Sequence, residues 1–363
     1  MLEEKDRECY AAMSSAIAGK TYDFIHESLK QAVYMTDAHL AEVTGSYLEH
    51  RGKALRPVLL ALSANAAGLA PEKVLPACAA VEMFHTWTLM HDDVIDHDDF
   101  RRGRPTAHRR GAALGVSALS LNEAAAAEYG LDLAILGGDM LHSLSAEMLM
   151  RQEGKPEVVL GLARRMCFKL APELLSGEQM DVRLSQTAWT DVTEAAIMEM
   201  MRLKTGALLA FCAECGTALG EGRAVEDSPL AQALGNFAHG CGLAFQMKDD
   251  LLGIFGEEAS FGKPIGSDIR EGKRTVLMLR ALSLASDSQK GRLLSVLGRS
   301  DATREEVDEV RNIISDLGAD RIVEEISERN VDGAMSVLKQ ALPDSQQRRM
   351  LEAWAGKMLN RVV

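Results

Sequence analysis

The stretch HDDVIDHDDF at residues 91–100 gathers acidic side chains in a pattern that could do chemistry. Asp92 and Asp96 are four apart, so on a helix they project from one face, with Asp93 beside them. Like charges at that spacing destabilise a helix unless something neutralises them. A hard divalent cation does so: Mg²⁺ takes carboxylate oxygens and keeps sites open for substrate phosphate. The plainer alternative is a solvated acidic helix end. Carboxylates at a helix C-terminus oppose its dipole, which disfavours that version. A second pair, Asp249 and Asp250 in FQMKDDLLG, again follows an apolar helical run. Alone it reads as a polar helix end. Two such pairs facing each other across a bundle could bridge metal ions to a diphosphate. Asp181 in SGEQMD could add to the metal site, whereas Asp139 in LGGDM reads as a hydrogen-bonded structural acid.

Phosphate recognition needs donors as well. The candidates are Lys53 and Arg56 in RGKALRP, Arg101 and Arg102 in RRG, Lys204 and Thr205 in LKTG, and Lys263 and Lys273 in a glycine-rich loop. Each alone reads as a surface charge. Gly52 and Gly103 sit beside their basic residues and would let backbone approach an anion. Lys204–Thr205–Gly206 interrupts the apolar EMMRLKTGALLAF, which is costly unless the polar atoms are used.

The elements that must position these residues are helical. Strand signals are weak, and apolar residues recur at spacings of three and four. The pattern predicts helices at about 23–50, 56–68, 72–97, 117–152, 156–186, 190–220, 228–255, 273–287, 302–317, 319–341 and 344–361. FRRGRPTAHRRG (100–111) and GEEASFGKPIGSDIREG (256–272) read as irregular. One all-helical domain over 1–363 is expected, with a motif-bearing core at about 50–285 and C-terminal helices at about 286–363.

Composition excludes several classes. With 363 residues, 47% hydrophobic and 26% charged, the chain has ample core material and is not disordered overall. Its 6 Cys are too few for a disulfide scaffold. No uncharged run approaches about 18 apolar residues, so no membrane span is expected. The acidic start MLEEKDRECY does not read as a secretory signal, and a reducing cytoplasm is the expected location. A net charge of −13 argues against sequence-independent nucleic-acid binding, which needs basic surface. Cys212 and Cys215 form a CxxC with no second pair, so buried thiols are expected rather than zinc.

Together the motifs resemble the trans-isoprenyl diphosphate synthase (polyprenyl synthetase) family, and within it the bacterial short-chain geranylgeranyl diphosphate synthases. Five occur in the family's order: GKALRP, HDDVIDHDDFRRGRPT, GEQMD, KTG and FQMKDDLLGIFG…GKPIGSDIREGKRT, spanning about Gly52 to Thr275. A weaker echo is ALP at 341–343 with Arg361. The resemblance implies an isoprenoid-synthase-type helical bundle around a central active-site cavity, usually a homodimer. It implies Mg²⁺ as cofactor, three ions once diphosphate is bound, with isopentenyl and allylic diphosphates as substrates.

Carried across by motif, Asp92, Asp96, Asp181 and Asp249 resemble the Mg²⁺ ligands. Asp93 supports them, and Lys204 and Asp250 complete the catalytic set. Arg101, Lys204, Thr205, Gln246, Lys263 and Lys273 resemble contacts to the allylic diphosphate. Gly52, Lys53, Arg56, His85 and Arg102 resemble the isopentenyl diphosphate site. Two departures stand out. The third position of the second acidic motif is Gly253 rather than Asp, where Asp268 of the following GSD could help, and Arg51–Gly52–Lys53 replaces the family's usual GGK.

The implied reaction is a head-to-tail condensation. Its product length can be argued from helix geometry, which alone does not separate C15 from C20. Side chains on a helix lean toward its N-terminus, so a tail growing from Asp92 runs back past Thr88, Trp87, Phe84 and Val81. Trp87 lies about 7.5 Å along the axis from Asp92, where an indole could floor the pocket. In the family a single aromatic there resembles C20 synthases. A C15 synthase, a class I terpene cyclase and a catalytically silent regulatory subunit are the alternatives. The isopentenyl diphosphate residues count against the cyclase, and the retained carboxylates count against the silent subunit.

Overall fold

The structure is a computed structural model that describes residues 4–33, 37–256 and 266–359. Lys263 and Arg361 lie outside the described residues. The described residues are helical apart from turns and one two-stranded ribbon.

The N-terminal helix starts earlier than expected, and the helix expected at 23–50 is broken. α1 is Glu4–Val33 and α2 is Ala38–Gly45. Asp37 caps α2 by accepting the His39 N–H at 2.9 Å. α3 (Leu55–Ala66) and α4 (Leu75–Ile95) follow, then the ribbon β1 (Phe100–Arg101) and β2 (Arg104–Pro105). The helix expected at 117–152 is two helices, α5 (Ala107–Leu119) and α6 (Glu123–Met150). Ser120 closes α5 in the left-handed region (φ 56°), and Asn122 caps α6.

α7 (Pro156–Arg165) runs through a π turn at Met166–Leu170 into α8 (Ala171–Ser185). α9 (Glu194–Met201) runs through a second π turn, Arg202–Gly206, into α10 (Ala207–Glu221). α11 is Pro229–Phe255 and α12 is the short Ser267–Glu271. α13 (Val276–Leu284) is capped by Thr275. α14 (Asp287–Val296) was not expected from periodicity. It starts at a capping box made by Ser286 and Gln289. α15 (Arg304–Asp316), α16 (Ala319–Ala341) and α17 (Gln346–Leu359) complete the chain. No helix among the described residues is long and apolar enough to cross a membrane.

The chain divides into two compact units. The first comprises Met1–Cys167, Cys212–Gln232 and Ser345–Trp354. Its core encloses Tyr22 and Ile25 of α1, Leu59, Leu60 and Leu62 of α3, Met83, Phe84 and Met90 of α4, and Leu141 of α6. Trp354 is also enclosed, its indole N–H donating to the Leu55 carbonyl at 2.8 Å. The second unit comprises Phe168–Phe211, Ala233–Asp344 and Ala355–Val363. Its core joins Ile197 and Met201 of α9, Met247, Leu251 and Ile254 of α11, and apolar residues of α13 to α16. All six cysteines are free thiols. Cys212 and Cys215 are enclosed, and burial pushes both thiols up, as befits core residues.

Candidate active site

In the first unit the site is built where α4 ends. Pro76 occupies the first turn of α4, where a missing N–H costs nothing. The Asp96 N–H closes the last turn on the Asp92 carbonyl at 2.8 Å, and His97 (φ 57°) leaves the helix in the left-handed region. β1 and β2 then pair Phe100 with Pro105 and Arg101 with Arg104. Arg102 (φ 53°) and Gly103 (φ 72°) form the two-residue loop, and positive φ at both positions is the geometry that suits a tight hairpin.

The hairpin turns Arg101 back onto α4. Its Nε lies 2.8 Å from both Asp93 oxygens, an Nη2 contact closes the fork, and the same Nη2 stands 3.6 Å from Asp92 Oδ2. Asp93 is fully enclosed and also accepts the Tyr47 hydroxyl, which in turn accepts the Ala107 N–H at 3.0 Å. Beside Asp92 in sequence, Asp93 thus points inward and anchors Arg101. Burial opposes the Arg101 charge, but the bonds and charge of Asp93 outweigh it and hold the guanidinium protonated.

A cavity of about 330 Å³ opens beside this anchor. His85 of α4, Arg101 and Arg102 line it, together with Arg51, Arg104 and Arg110, against the carboxylates of Glu49 and Glu82. Burial, then the charges of Arg56, Arg102 and Arg101, push His85 well below the ordinary imidazole value, so it is neutral near pH 7. Gly52 lies against this wall: a Cβ there would stand 3.0 Å from both Arg102 Nη1 and Tyr22 Oη. Arg56 Nε is buried and has no hydrogen-bond partner among the described residues. Lys53 is exposed, and neither it nor Arg56 lines the cavity itself. Tyr22, Tyr47 and Glu82 went unnoticed in the sequence because no local pattern marks them.

In the second unit, the π turn at Arg202–Gly206 swings Lys204 toward α8. Its Nζ bridges Asp181 at 2.6 Å and Glu178 at 2.8 Å, two carboxylates three apart on one helix face. Glu178 is the member of GEQMD that sequence reasoning passed over. Thr205 donates to Gln246 Oε1 at 3.1 Å, and Gln246 Nε2 donates to Asp250 Oδ1 at 3.2 Å. Gln246, Asp249, Asp250 and Gly253 share one face of α11. Asp250 is enclosed, and burial with the nearby Asp268 charge pushes its carboxyl up. Lys273 stands 3.4 Å from Asp268 and 3.4 Å from Glu271.

A sequence profile described as polyprenyl synthetase matches residues 37–314. The chain belongs to the polyprenyl synthetase family. It is thereby an isoprenyl diphosphate synthase, a prenyl-transferring enzyme. It is 35% identical over 292 residues to a short chain isoprenyl diphosphate synthase of Methanocaldococcus jannaschii, covering 80% of each chain. It is also similar to the crystal structure of a geranylgeranyl pyrophosphate synthetase from Pyrococcus horikoshii, with TM-score 0.84 and 30% identity over 99% of this chain and 100% of that one. A geranylgeranyl pyrophosphate synthase from Corynebacterium glutamicum, solved with isoprenyl diphosphate and magnesium, matches with TM-score 0.82 and 28% identity over 96% and 99%. The fold is therefore the all-α fold of the prenyl synthases.

Members of the polyprenyl synthetase family use Mg²⁺, and the donor chemistry here fits it. Asp92, Asp181 and Asp249 offer hard carboxylate oxygens at half-buried helix positions, and Asp96, just past the end of α4, offers an exposed one. Mg²⁺ is typically held by one or two carboxylates plus substrate phosphate rather than by an all-protein cage. Among the described residues no three acidic, His or Cys side chains converge as a metal cluster.

The expected tail-lining positions of this polyprenyl synthetase differ in exposure. Val81 and Phe84 are wholly enclosed, Trp87 nearly so, and Thr88 is half-buried. Trp87 packs on the His142 ring of α6 at 4.3 Å between centroids, with Phe84 edge-on at 5.0 Å. Its indole N–H donates to His91 Nδ1 at 3.2 Å. His142 is a neighbour that sequence reasoning did not supply.

Proposed function

We propose that this isoprenyl diphosphate synthase condenses isopentenyl diphosphate with allylic diphosphates head to tail and makes geranylgeranyl diphosphate (C20) as its main product. The observation that carries the reading is Arg101. One guanidinium, clamped on Asp93, stands beside Asp92 of the first acidic motif and lines the basic cavity.

Asp92 and Asp96, with Asp181 and Asp249, would hold Mg²⁺, three ions in the loaded enzyme. The metal supplies Lewis-acid charge stabilisation on the leaving diphosphate. Arg101, Lys204, Thr205, Gln246, Lys263 and Lys273 hold the allylic diphosphate. Gly52, Lys53, Arg56, His85 and Arg102 hold isopentenyl diphosphate, and a neutral His85 can accept or donate without adding charge. The allylic C–O bond breaks with its electron pair on the diphosphate. The isopentenyl double bond forms the new C–C bond, and a proton leaves to the departed diphosphate. The protein contributes register between two anions and exclusion of water from the cation. The packed Trp87 supports a C20 limit.

A homodimer fits the exposed apolar residues Leu131, Ile135 and Leu136 of α6 with Val116 and Leu119 of α5. The six free thiols suit a reducing cytoplasm.

The deciding experiment incubates the protein with Mg²⁺, labelled isopentenyl diphosphate and, separately, C5, C10 and C15 allylic diphosphates, and sizes the products. C20 is the expected end point. Termination at C15 would retain the enzyme class and overturn the product. Cyclic hydrocarbon from an allylic diphosphate alone, or no turnover, would overturn the reading.

A further inference from the structure

α1 precedes residue 37, where the family match begins, and it precedes every motif that carries the resemblance. It nevertheless supplies a wall of the basic cavity through Tyr22. Tyr22 is 1% exposed, and its hydroxyl makes two bonds. It donates to Glu82 Oε1 of α4 at 2.7 Å and accepts the Gly52 N–H at 2.8 Å.

The segment carrying Gly52 has little structure of its own. Residues 51–54 lie outside helices, and Ala54 holds a left-handed φ of 47°, unfavourable for a residue with a Cβ. Its conformation is imposed from α1. His26 bonds the Leu48 carbonyl at 2.7 Å, Asp23 pairs with Arg51 at 2.9 Å, and Tyr22 holds the Gly52 amide. The Asp23–Arg51 pair is exposed and worth little. The Tyr22 hydroxyl is enclosed, so its bonds are the costly ones to lose.

Glu82 extends this control. It is 6% exposed, and Arg56 and Arg102 are the positive charges that act on it. The hydroxyl gives Glu82 a neutral hydrogen-bond donor that fixes where its carboxylate sits near the charges of Arg56 and Arg102. Arg102 Nη1 and Tyr22 Oη both lie 3.0 Å from the place a Gly52 side chain would start, so the three groups share one contact point.

We propose that Tyr22 is a positioning residue for the isopentenyl diphosphate subsite, setting the Gly52 backbone directly and Arg56 and Arg102 through Glu82. The inference rests on the reading of the basic cavity as that subsite. Without the hydroxyl the Gly52 amide loses its acceptor. Glu82 also loses its donor and leans on Arg102, which lines the cavity and would otherwise meet the substrate anion.

The test is Tyr22→Phe, which keeps the ring. The KM for isopentenyl diphosphate should rise about tenfold, the scale of one lost hydrogen bond to a charged group. Turnover at saturation and the KM for the allylic substrate should stay within about twofold, and the melting temperature checks folding. Tyr22→Met, which also lacks the hydroxyl, should give the same split. An unchanged isopentenyl diphosphate KM in both variants, or an equal rise for both substrates, overturns the proposal. Arg102→Ala separates this inference from the cavity reading. If Arg102→Ala raises that KM and the other two variants do not, only the role of Tyr22 fails. If Arg102→Ala leaves it unchanged, the cavity is not the subsite and both readings fail.

Discussion

The Asp268 carboxylate occupies the space that a side chain on Gly253 would need: a Cβ at 253 would overlap Asp268 Oδ2 and lie 2.8 Å from its Cγ. The glycine that departs from the family's second acidic motif is therefore matched by an acid from α12, held by Lys273 at 3.4 Å. A mid-helix glycine costs about 1 kcal/mol relative to alanine, so the position asks for a reason, and the close approach supplies one.

Gly253→Asp in the otherwise natural chain should destabilise by about 1–3 kcal/mol through overpacking and like-charge repulsion. Pairing it with Asp268→Gly should restore most of the loss, because one carboxylate then occupies the space again. Urea unfolding of both variants checks this, with titration of Mg²⁺ and a non-ionisable diphosphate analogue as an independent readout. An additive double mutant would contradict the exchange.

Asp93→Ala removes the enclosed partner of Arg101. Breaking a buried ion pair on one side costs about 3–5 kcal/mol. The unfolding midpoint should fall accordingly, and catalysis should suffer through Arg101 rather than through a lost metal ligand. Mg²⁺ dependence of the residual activity should therefore keep its shape, which a rate-against-Mg²⁺ titration would show.

On the proposed flooring role, Trp87→Ala should lengthen the products. His142→Ala should broaden the distribution, since the histidine ring packs on the indole at 4.3 Å. Reversed-phase sizing of the products reads both, and an unchanged distribution for Trp87→Ala would remove its flooring role.

His85 carries a pH signature. Burial and then three arginine charges hold it below its unfolded value of about 6.5, so the unfolded chain binds more protons in that window. Its contribution to stability is present above about pH 6.5 and is lost as pH falls below it. Glu82, pushed up by burial, acts with the opposite sign, so the comparison must be between variants. His85→Gln should melt with a smaller drop between about pH 7.5 and 5.5 than the natural chain does. Differential scanning fluorimetry across that range would show an equal drop if His85 were not the group responsible.

What the sequence by itself determined is what lies within one helical turn or one motif. Asp92 and Asp96, Gln246 and Asp249, and Lys204 with Thr205 are legible because spacings of three and four, or an expensive polar break in an apolar helix, are local facts. The helical fold class followed from the same periodicity. At Asp37 and Asn122 the periodicity ran on through breaks that single side-chain bonds enforce, and at Ser286 a capping box starts a helix the periodicity did not mark.

Only the tertiary structure decided which way each acid faces and what meets it. Asp93 and Asp92 are neighbours, yet one is enclosed by Arg101 and Tyr47, 46 positions away, while the other stays at the surface of the site. Tyr22 reaches Glu82 across 60 positions. Trp87 packs on a histidine of another helix, and Asp268 fills the room left by Gly253. Such pairings have no period along the chain. They arise when packing brings helices together, and the low-dielectric interior then makes each buried polar group find its partner.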